Sequence, residues 1–235
     1  MTTLGVFVGG SPLPSAGQVV EAERDTPWGE VSDLPYRVQL GEVQLLLMHR
    51  HGPQRELSPH QINYRANVWL MQQLGATVLI GTHTVGSIDP NLKVGELVLP
   101  EQLIDYTWGR AQTFDDQRRH VDFSSPYSAD LRARILASGV PIHAGGVYAC
   151  TQGPRLESAA EIVRLARDGC TIVGMTGMPE AGLARELELE FASLCVVVNP
   201  AAGVSSASID MQALREASER GAAQIWAVLT ALGAT

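Results

Sequence analysis

Lysine is almost missing from this chain. Lys93 is the one lysine among 235 residues, and 17 Lys and Arg together face 25 Asp and Glu, for a net charge of −8. A basic face able to neutralise nucleic-acid phosphates is therefore excluded, and no nucleic-acid partner is expected. Cysteine is scarce as well. Cys150, Cys170 and Cys195 are odd in number, far apart and without Cys-x-x-Cys spacing. They read as small buried residues in a reducing compartment, not as a disulfide frame or a metal site. No apolar run approaches the ~20 residues of a membrane helix, so no membrane partner is expected either. The start Met1-Thr2-Thr3-Leu4-Gly5 has no basic segment, which predicts a cytoplasmic chain with neither signal nor transit peptide.

What is present is an enzyme-like composition, 45% hydrophobic and 18% charged, which reads as one domain spanning 1–235. Apolar runs alternate with periodic segments. Leu4 to Val8 reads as a strand ending in Gly9-Gly10-Ser11. Tyr36 to Leu40 and Val43 to Met48 read as a hairpin turning at Gly41-Glu42. Ser58-Pro59 predicts a helix start, with the helix running to Gln73 and stopped by Gly75. Strands follow at Val78 to Ile80 and Leu97 to Pro100, then a polar loop from Asp105 to Arg119. The second half predicts helices at 129–137, 158–167, 179–187 and 211–232, with strands at 146–150, 171–173 and 192–198 between them. Ser158-Ala159-Ala160-Glu161 is a capping box. This order implies an α/β fold, a mixed, mostly parallel central sheet flanked by helices. Ligands of such sheets sit at the carboxyl ends of strands, which directs attention to the residues just after each strand.

Four of those ends suit an anion. Gly9-Gly10-Ser11 offers backbone amides and a hydroxyl, although the same tripeptide occurs in ordinary turns. His49-Arg50-His51-Gly52 offers a guanidinium suited to bidentate phosphate contact, or else a solvated charged turn. Gly81-Thr82-His83-Thr84-Val85-Gly86-Ser87 supplies hydroxyls, and Met175-Thr176-Gly177-Met178-Pro179-Glu180 sets a hydroxyl ahead of a helix N-terminus. Ser11, Arg50, Thr84 and Thr176 together could hold one anion. Two further ends differ in character: Gln152-Gly153-Pro154-Arg155-Leu156-Glu157 carries a carboxylate before a capped helix, and Asn199 brings an amide with both donor and acceptor to the end of an apolar strand.

With these segments in this order, the chain resembles the trimeric purine nucleoside phosphorylase and methylthioadenosine phosphorylase family, and within it is similar to the bacterial S-methyl-5′-thioinosine phosphorylases. Arg50-His51-Gly52 followed by Asn63-Tyr64-Arg65-Ala66-Asn67 is the most specific part of the match. The resemblance implies that Ser11, Arg50, His51, Thr84 and Thr176 hold phosphate and that Met175 lines the ribose. It implies that Leu156, Glu157 and Asn199 hold the base, with Asn199 and Glu157 as the catalytic pair. His120 would reach a neighbouring subunit's pocket near the 5′ end, in a homotrimer. Ile209, Met211 and Ala213 offer an apolar wall for a 5′-methylthio group, or ordinary helix packing. The chain departs from the family at Arg55, where a second histidine is usual, at Pro12 after the Gly-Gly-Ser loop, and at His83, where relatives often carry Asn or Thr.

The implied reaction is phosphorolysis of a purine nucleoside, with inorganic phosphate as co-substrate and no metal or organic cofactor. Hypoxanthine presents an acceptor at O6 and a donor at N1, which match a donating Asn199 and an accepting Glu157. An adenine site would place a carboxylate near Asn199 or Ala201. The favoured substrate is S-methyl-5′-thioinosine, giving hypoxanthine and 5-methylthioribose 1-phosphate in purine salvage. The alternatives are a general inosine and guanosine phosphorylase, a methylthioadenosine phosphorylase, a nucleoside hydrolase, which the lack of an Asp-rich run disfavours, and a non-catalytic nucleoside-binding module.

Overall fold

The computed structural model describes residues 2–11, 13, 17–114, 120–205 and 210–234. In chain order it has strands β1 (Thr2–Val8), β2 (Gln18–Val19), β3 (Asp25–Thr26), β4 (Gly29–Glu30), β5 (Tyr36–Leu40) and β6 (Val43–His49), then helix α1 (Tyr64–Gln73). β7 (Val78–Ser87), β8 (Leu97–Leu99) and β9 (Gln102–Asp105) follow, then α2 (Ala129–Leu136), β10 (Ile142–Ala144) and β11 (Val147–Cys150). Next come α3 (Ala159–Arg167), β12 (Ile172–Gly174), α4 (Glu180–Glu186), β13 (Glu190–Pro200) and α5 (Met211–Gly233).

All the strands except the β3–β4 pair join one sheet, whose main path runs β10-β8-β13-β7-β1-β6-β5-β2. Its centre is parallel: β1 pairs with β6 and β7, and β7 pairs with β13. β12 crosses the far end of β7 antiparallel and carries β11 and, beyond it, β9. Successive side chains of a strand face opposite sides, so each central strand feeds two cores. Phe7, Leu46, Met48 and Leu79 pack with α1 and α4 residues such as Val68, Met71 and Leu183. Leu4, Val6, Leu45, Leu47 and Ile80 pack on the other face with Leu131 and Ile135 of α2 and Ile225, Val228 and Leu229 of α5. Among the described residues no helix is long and apolar enough to cross a membrane.

Three expected boundaries shift, each for a local reason. Helix α1 begins at Tyr64, not at Ser58, because Asn63 is its cap: Asn63 Oδ1 accepts from the Ala66 amide at 3.2 Å while its Nδ2 donates to the Trp28 carbonyl at 2.8 Å. Ser58 instead closes a turn with Gln61. Strand β7 does not stop at Ile80 but continues through Gly81 to Ser87, paired along its length with β13. A Cβ on Gly81 would stand 2.6 Å from His83 Nε2, so the glycine serves close packing inside the strand. Strand β13 likewise runs past Val198 to Pro200, and its register slips between Val197 and Asn199. Strands β2, β3, β4, β9 and β10, all short, stand where the sequence suggested none. The Ser158 capping box with Glu161 is present as expected.

Candidate active site

A cavity opens where β7, β12 and β13 end. Its wall includes two groups of residues, His51, His83, Thr84, Met175 and Thr176, taken first, and Leu156, Glu157, Asn199, Ala201 and Leu214, taken second. The bulge before Asn199 turns that side chain out of the regular alternation, a common device for aiming a functional group.

The first side rests on a buried ion pair. Arg50 is wholly buried, and its Nε and Nη2 donate to the two carboxylate oxygens of Glu180 at 2.6 and 3.0 Å. Nη1 donates to the Thr82 carbonyl at 2.5 Å and Nη2 also to the Phe7 carbonyl at 3.2 Å. These bonds engage four of the five guanidinium donors. The fifth lies on Nη1, which is 2.6 Å from where a Cβ on Gly9 would stand, so only glycine fits there. The bidentate fork that suits an anion is thus directed at Glu180, and what remains for a ligand is one N–H beneath the Gly9-Gly10-Ser11 turn. Burial pushes the Glu180 carboxyl upward, and the Arg50 guanidinium draws it back down.

Around that pair the polar groups are cross-braced. Gly9 N–H donates to Thr82 Oγ1, which donates in turn to the Phe7 carbonyl. Gly10 is so close to Thr84 that a Cβ on it would lie 2.5 Å from Thr84 Oγ1. Ser218 of α5 donates to the Gly10 carbonyl at 3.0 Å and stands 3.4 Å from Ser11 Oγ. His51 Nδ1 is 2.8 Å from the Leu57 carbonyl, which can only accept, so Nδ1 carries the proton and Nε2 is the acceptor. Burial, then the Arg50 charge, lowers the His51 pKa to about 4. The ring is therefore neutral and suits a proton-bearing oxygen, such as a protonated phosphate oxygen or a sugar hydroxyl.

The second side combines the end of strand β13 with the loop before α3. Glu157 precedes α3 and accepts from Thr151 Oγ1 at 2.6 Å through Oε1. Asn199 Nδ2 donates to the Pro200 carbonyl at 2.7 Å, which leaves one amide hydrogen and Oδ1 for a ligand. Arg110 ties the two sides together. Its guanidinium donates to the Thr151 and Gln152 carbonyls on one loop and to the Met175 and Met178 carbonyls on the other.

The family model for the phosphorylase superfamily matches residues 5–232. The chain belongs to that superfamily. Among its relatives, a protein of Pseudomonas syringae named "Probable S-methyl-5′-thioinosine phosphorylase" is 49% identical over 216 residues, covering 87% of each chain. The "6-oxopurine nucleoside phosphorylase" of Pyrococcus furiosus is 41% identical over 215 residues, covering 85% of this chain and 80% of its own. A methylthioadenosine phosphorylase from Schistosoma mansoni solved with adenine superposes with a TM-score of 0.92 at 26% identity, covering 100% of this chain and 91% of the other.

In this phosphorylase-superfamily chain, seven expected residues line one cavity: His51, Thr84, Leu156, Glu157, Met175, Thr176 and Asn199. Ser11 and Arg50 lie buried behind it. His120 stands apart, in a separate cavity with Tyr127, Arg185 and Phe191. Ile209 and Pro12 fall outside the described residues. Of the apolar candidates on α5, Met211 and Ala213 are exposed and do not line the cavity; Leu214, which the sequence did not single out, does. Sequence reasoning missed Glu180, Ser218, Arg110 and Leu214 as parts of the site. Only Glu180 carried a signal: an acidic residue directly after Pro179 at a helix start, within a motif already singled out.

Proposed function

We propose that the chain phosphorolyses 6-oxopurine nucleosides, with S-methyl-5′-thioinosine as the preferred substrate. The observation that carries this reading is that Asn199 and Glu157 share one cavity with Thr84 and Thr176. A donor and an acceptor for a purine thus share the cavity with hydroxyl donors for an anion and with Met175.

Cleaving the bond between ribose C1′ and purine N9 leaves positive charge on the sugar and negative charge on the base, so catalysis is mainly positioning and electrostatic stabilisation. Phosphate below the sugar attacks C1′, the C1′–N9 bond breaks, and its electron pair goes to the base. Thr84, Thr176, Ser11 and the remaining Arg50 donor hold the phosphate. His51 Nε2 accepts from its protonated oxygen or from a ribose hydroxyl. Asn199 donates to O6 and stabilises the leaving base, and Glu157, steadied by Thr151, accepts from N1–H. Ala201 also supports the 6-oxopurine choice, since it lines the cavity with a methyl where an adenine site would want a carboxylate. Neither metal nor organic cofactor enters these steps.

Leu214 gives the cavity an apolar patch suited to a methylthio group. If the 5′ wall instead tolerates a hydroxyl, the enzyme is a general inosine and guanosine phosphorylase. By its family resemblance the active form is a homotrimer in which His120 completes a neighbouring copy's site. Cys150, Cys170 and Cys195, all free thiols, suit a cytoplasmic enzyme. The test is product analysis with methylthioinosine, inosine, guanosine and methylthioadenosine, each with and without phosphate. Phosphate-dependent release of hypoxanthine from methylthioinosine is expected, and release that ignores phosphate would overturn the reading.

A further inference from the structure

His83 belongs to the cavity wall with its side chain buried, and none of the steps above uses it. It is buried inside β7, stacked edge-on against Tyr148 at 5.4 Å, and both ring nitrogens face hydroxyls. Nδ1 is 2.8 Å from Thr176 Oγ1, and Nε2 is 3.2 Å from Ser193 Oγ. The nearest carboxylate oxygen, Glu180 Oε2, is 4.0 Å from Nε2 and already accepts from Arg50. Burial, and after it the Arg50 charge, holds the ring's pKa well below the usual histidine range, so the ring is neutral and carries one proton.

Which nitrogen carries that proton decides what Thr176 can do. A threonine hydroxyl has a single proton. If Nε2 holds the ring proton, Nδ1 must accept, the Thr176 proton turns toward the ring, and an oxygen lone pair faces the cavity. If Nδ1 holds it, Thr176 Oγ1 accepts from the ring and its own proton points at the ligand. Ser193 favours the second arrangement. It is completely buried and adjoins the Tyr127 hydroxyl, a buried donor with no other partner among the described residues; when Ser193 Oγ accepts from Tyr127, its own proton is left for Nε2, the acceptor 3.2 Å away. Thr176 is also pinned from the other side, since its amide donates to the Tyr148 hydroxyl at 3.4 Å.

We infer that His83 is the positioning residue of the anion end, relaying the Ser193 hydroxyl through its Nδ1–H tautomer so that Thr176 presents a donor to the anion. The anion is phosphate insofar as the phosphorylase reading holds. The geometry also accounts for Gly81, where a Cβ would lie 2.6 Å from His83 Nε2 and 2.8 Å from Glu180 Oε2.

The test has two arms on the full-length protein. Nitrogen-15 NMR of histidine-labelled enzyme with inorganic phosphate, assigned with His83→Asn, should show Nδ1 protonated and Nε2 unprotonated at His83. A protonated Nε2 overturns the inference. In kinetics, His83→Phe should raise the KM for phosphate roughly tenfold or more while the nucleoside KM moves by less than about twofold. His83→Asn, whose amide nitrogen can stand where Nδ1 does, should restore most of the loss. Equal damage in both variants, or an unchanged phosphate KM in His83→Phe, also overturns it. If His83→Phe does not fold, the tautomer in the wild-type protein decides. Failure of the phosphorylase reading looks different: the wild type would then release base no faster with phosphate than without it.

Discussion

The two ends of the cavity are built in opposite ways. The Arg50 end is sunk between the sheet and α4: Arg50, Glu180, His83 and Thr176 are all buried, and each is held by partners far away in sequence. The Asn199 end is assembled from the rim of strand β13 and the loop before α3, with Leu156 48% exposed and Glu157 steadied chiefly by Thr151. A group that must bind the same small anion in every turnover gains from being fixed before the ligand arrives. A group that chooses among bases gains from lying where substitution costs little stability. The difference implies that mutations at the first end act on folding and phosphate together, whereas mutations at the second redirect specificity.

The sharpest break should come at Arg50. Removing one partner of a buried, hydrogen-bonded ion pair typically costs about 3–5 kcal/mol, because the other charge is left without compensation. Arg50→Ala is therefore expected to lose stability on that scale in denaturant titration. It is not a clean probe of phosphate. Replacing both partners with apolar residues, Arg50→Met with Glu180→Leu, should recover much of the stability but not phosphate binding. A single variant as stable as the wild type would show that the pair does not anchor this end.

A smaller effect, confined to specificity, is expected at Asn199. Asn199→Asp turns a donor into an ionised acceptor facing O6 of hypoxanthine, a mismatch worth about 1–3 kcal/mol, so kcat/KM for methylthioinosine should fall roughly tenfold to a hundredfold. Methylthioadenosine, which offers an amino donor at that position, should suffer less. The ratio of kcat/KM for the two nucleosides is the measurement, and stability should hardly change. A constant ratio would mean that Asn199 does not read the base.

The smallest effect at neutral pH, where it vanishes, is a pH dependence of stability that grows only on the acid side. The folded chain keeps His51 neutral down to about pH 4, whereas the unfolded chain takes up a proton near the ordinary value of about 6.5. Between those values the unfolded state binds more protons, so the stability tied to His51 is intact above about pH 6.5 and is lost as the pH falls toward about 4. His83, lowered by the same kind of burial, adds in the same direction. His51→Gln should flatten the acid side of the stability profile, by at most about 1.4 kcal/mol per pH unit. An unchanged profile would place the ring in contact with water.

How far the sequence disclosed all this follows the same divide. Local signals were legible: the hairpin at Gly41, the helix stop at Gly75 and the Ser158 capping box depend on residues a few positions apart. So were the base-side candidates, because Glu157 and Asn199 sit beside recognisable breaks. The aim of a side chain was not. Arg50 looked free to grip an anion until Glu180, 130 positions later, is seen across its guanidinium. The same holds for His83, whose partners Thr176 and Ser193 lie 93 and 110 positions away. The run from Gly81 to Ser87 looked like a loop because small and hydroxylated residues favour turns. Burial between β1, β13 and β12 makes it a strand.

The central claim is that one cavity has two separable ends, one for phosphate and one for a 6-oxopurine. It is tested most directly by titrating wild type, Thr176→Val and Asn199→Asp with phosphate and with hypoxanthine in separate experiments. The account predicts a crossed pattern: Thr176→Val loses phosphate affinity and keeps hypoxanthine, and Asn199→Asp does the reverse. If both variants lose the same ligand, or neither loses any, the two ends are not what their geometry suggests and the account is wrong.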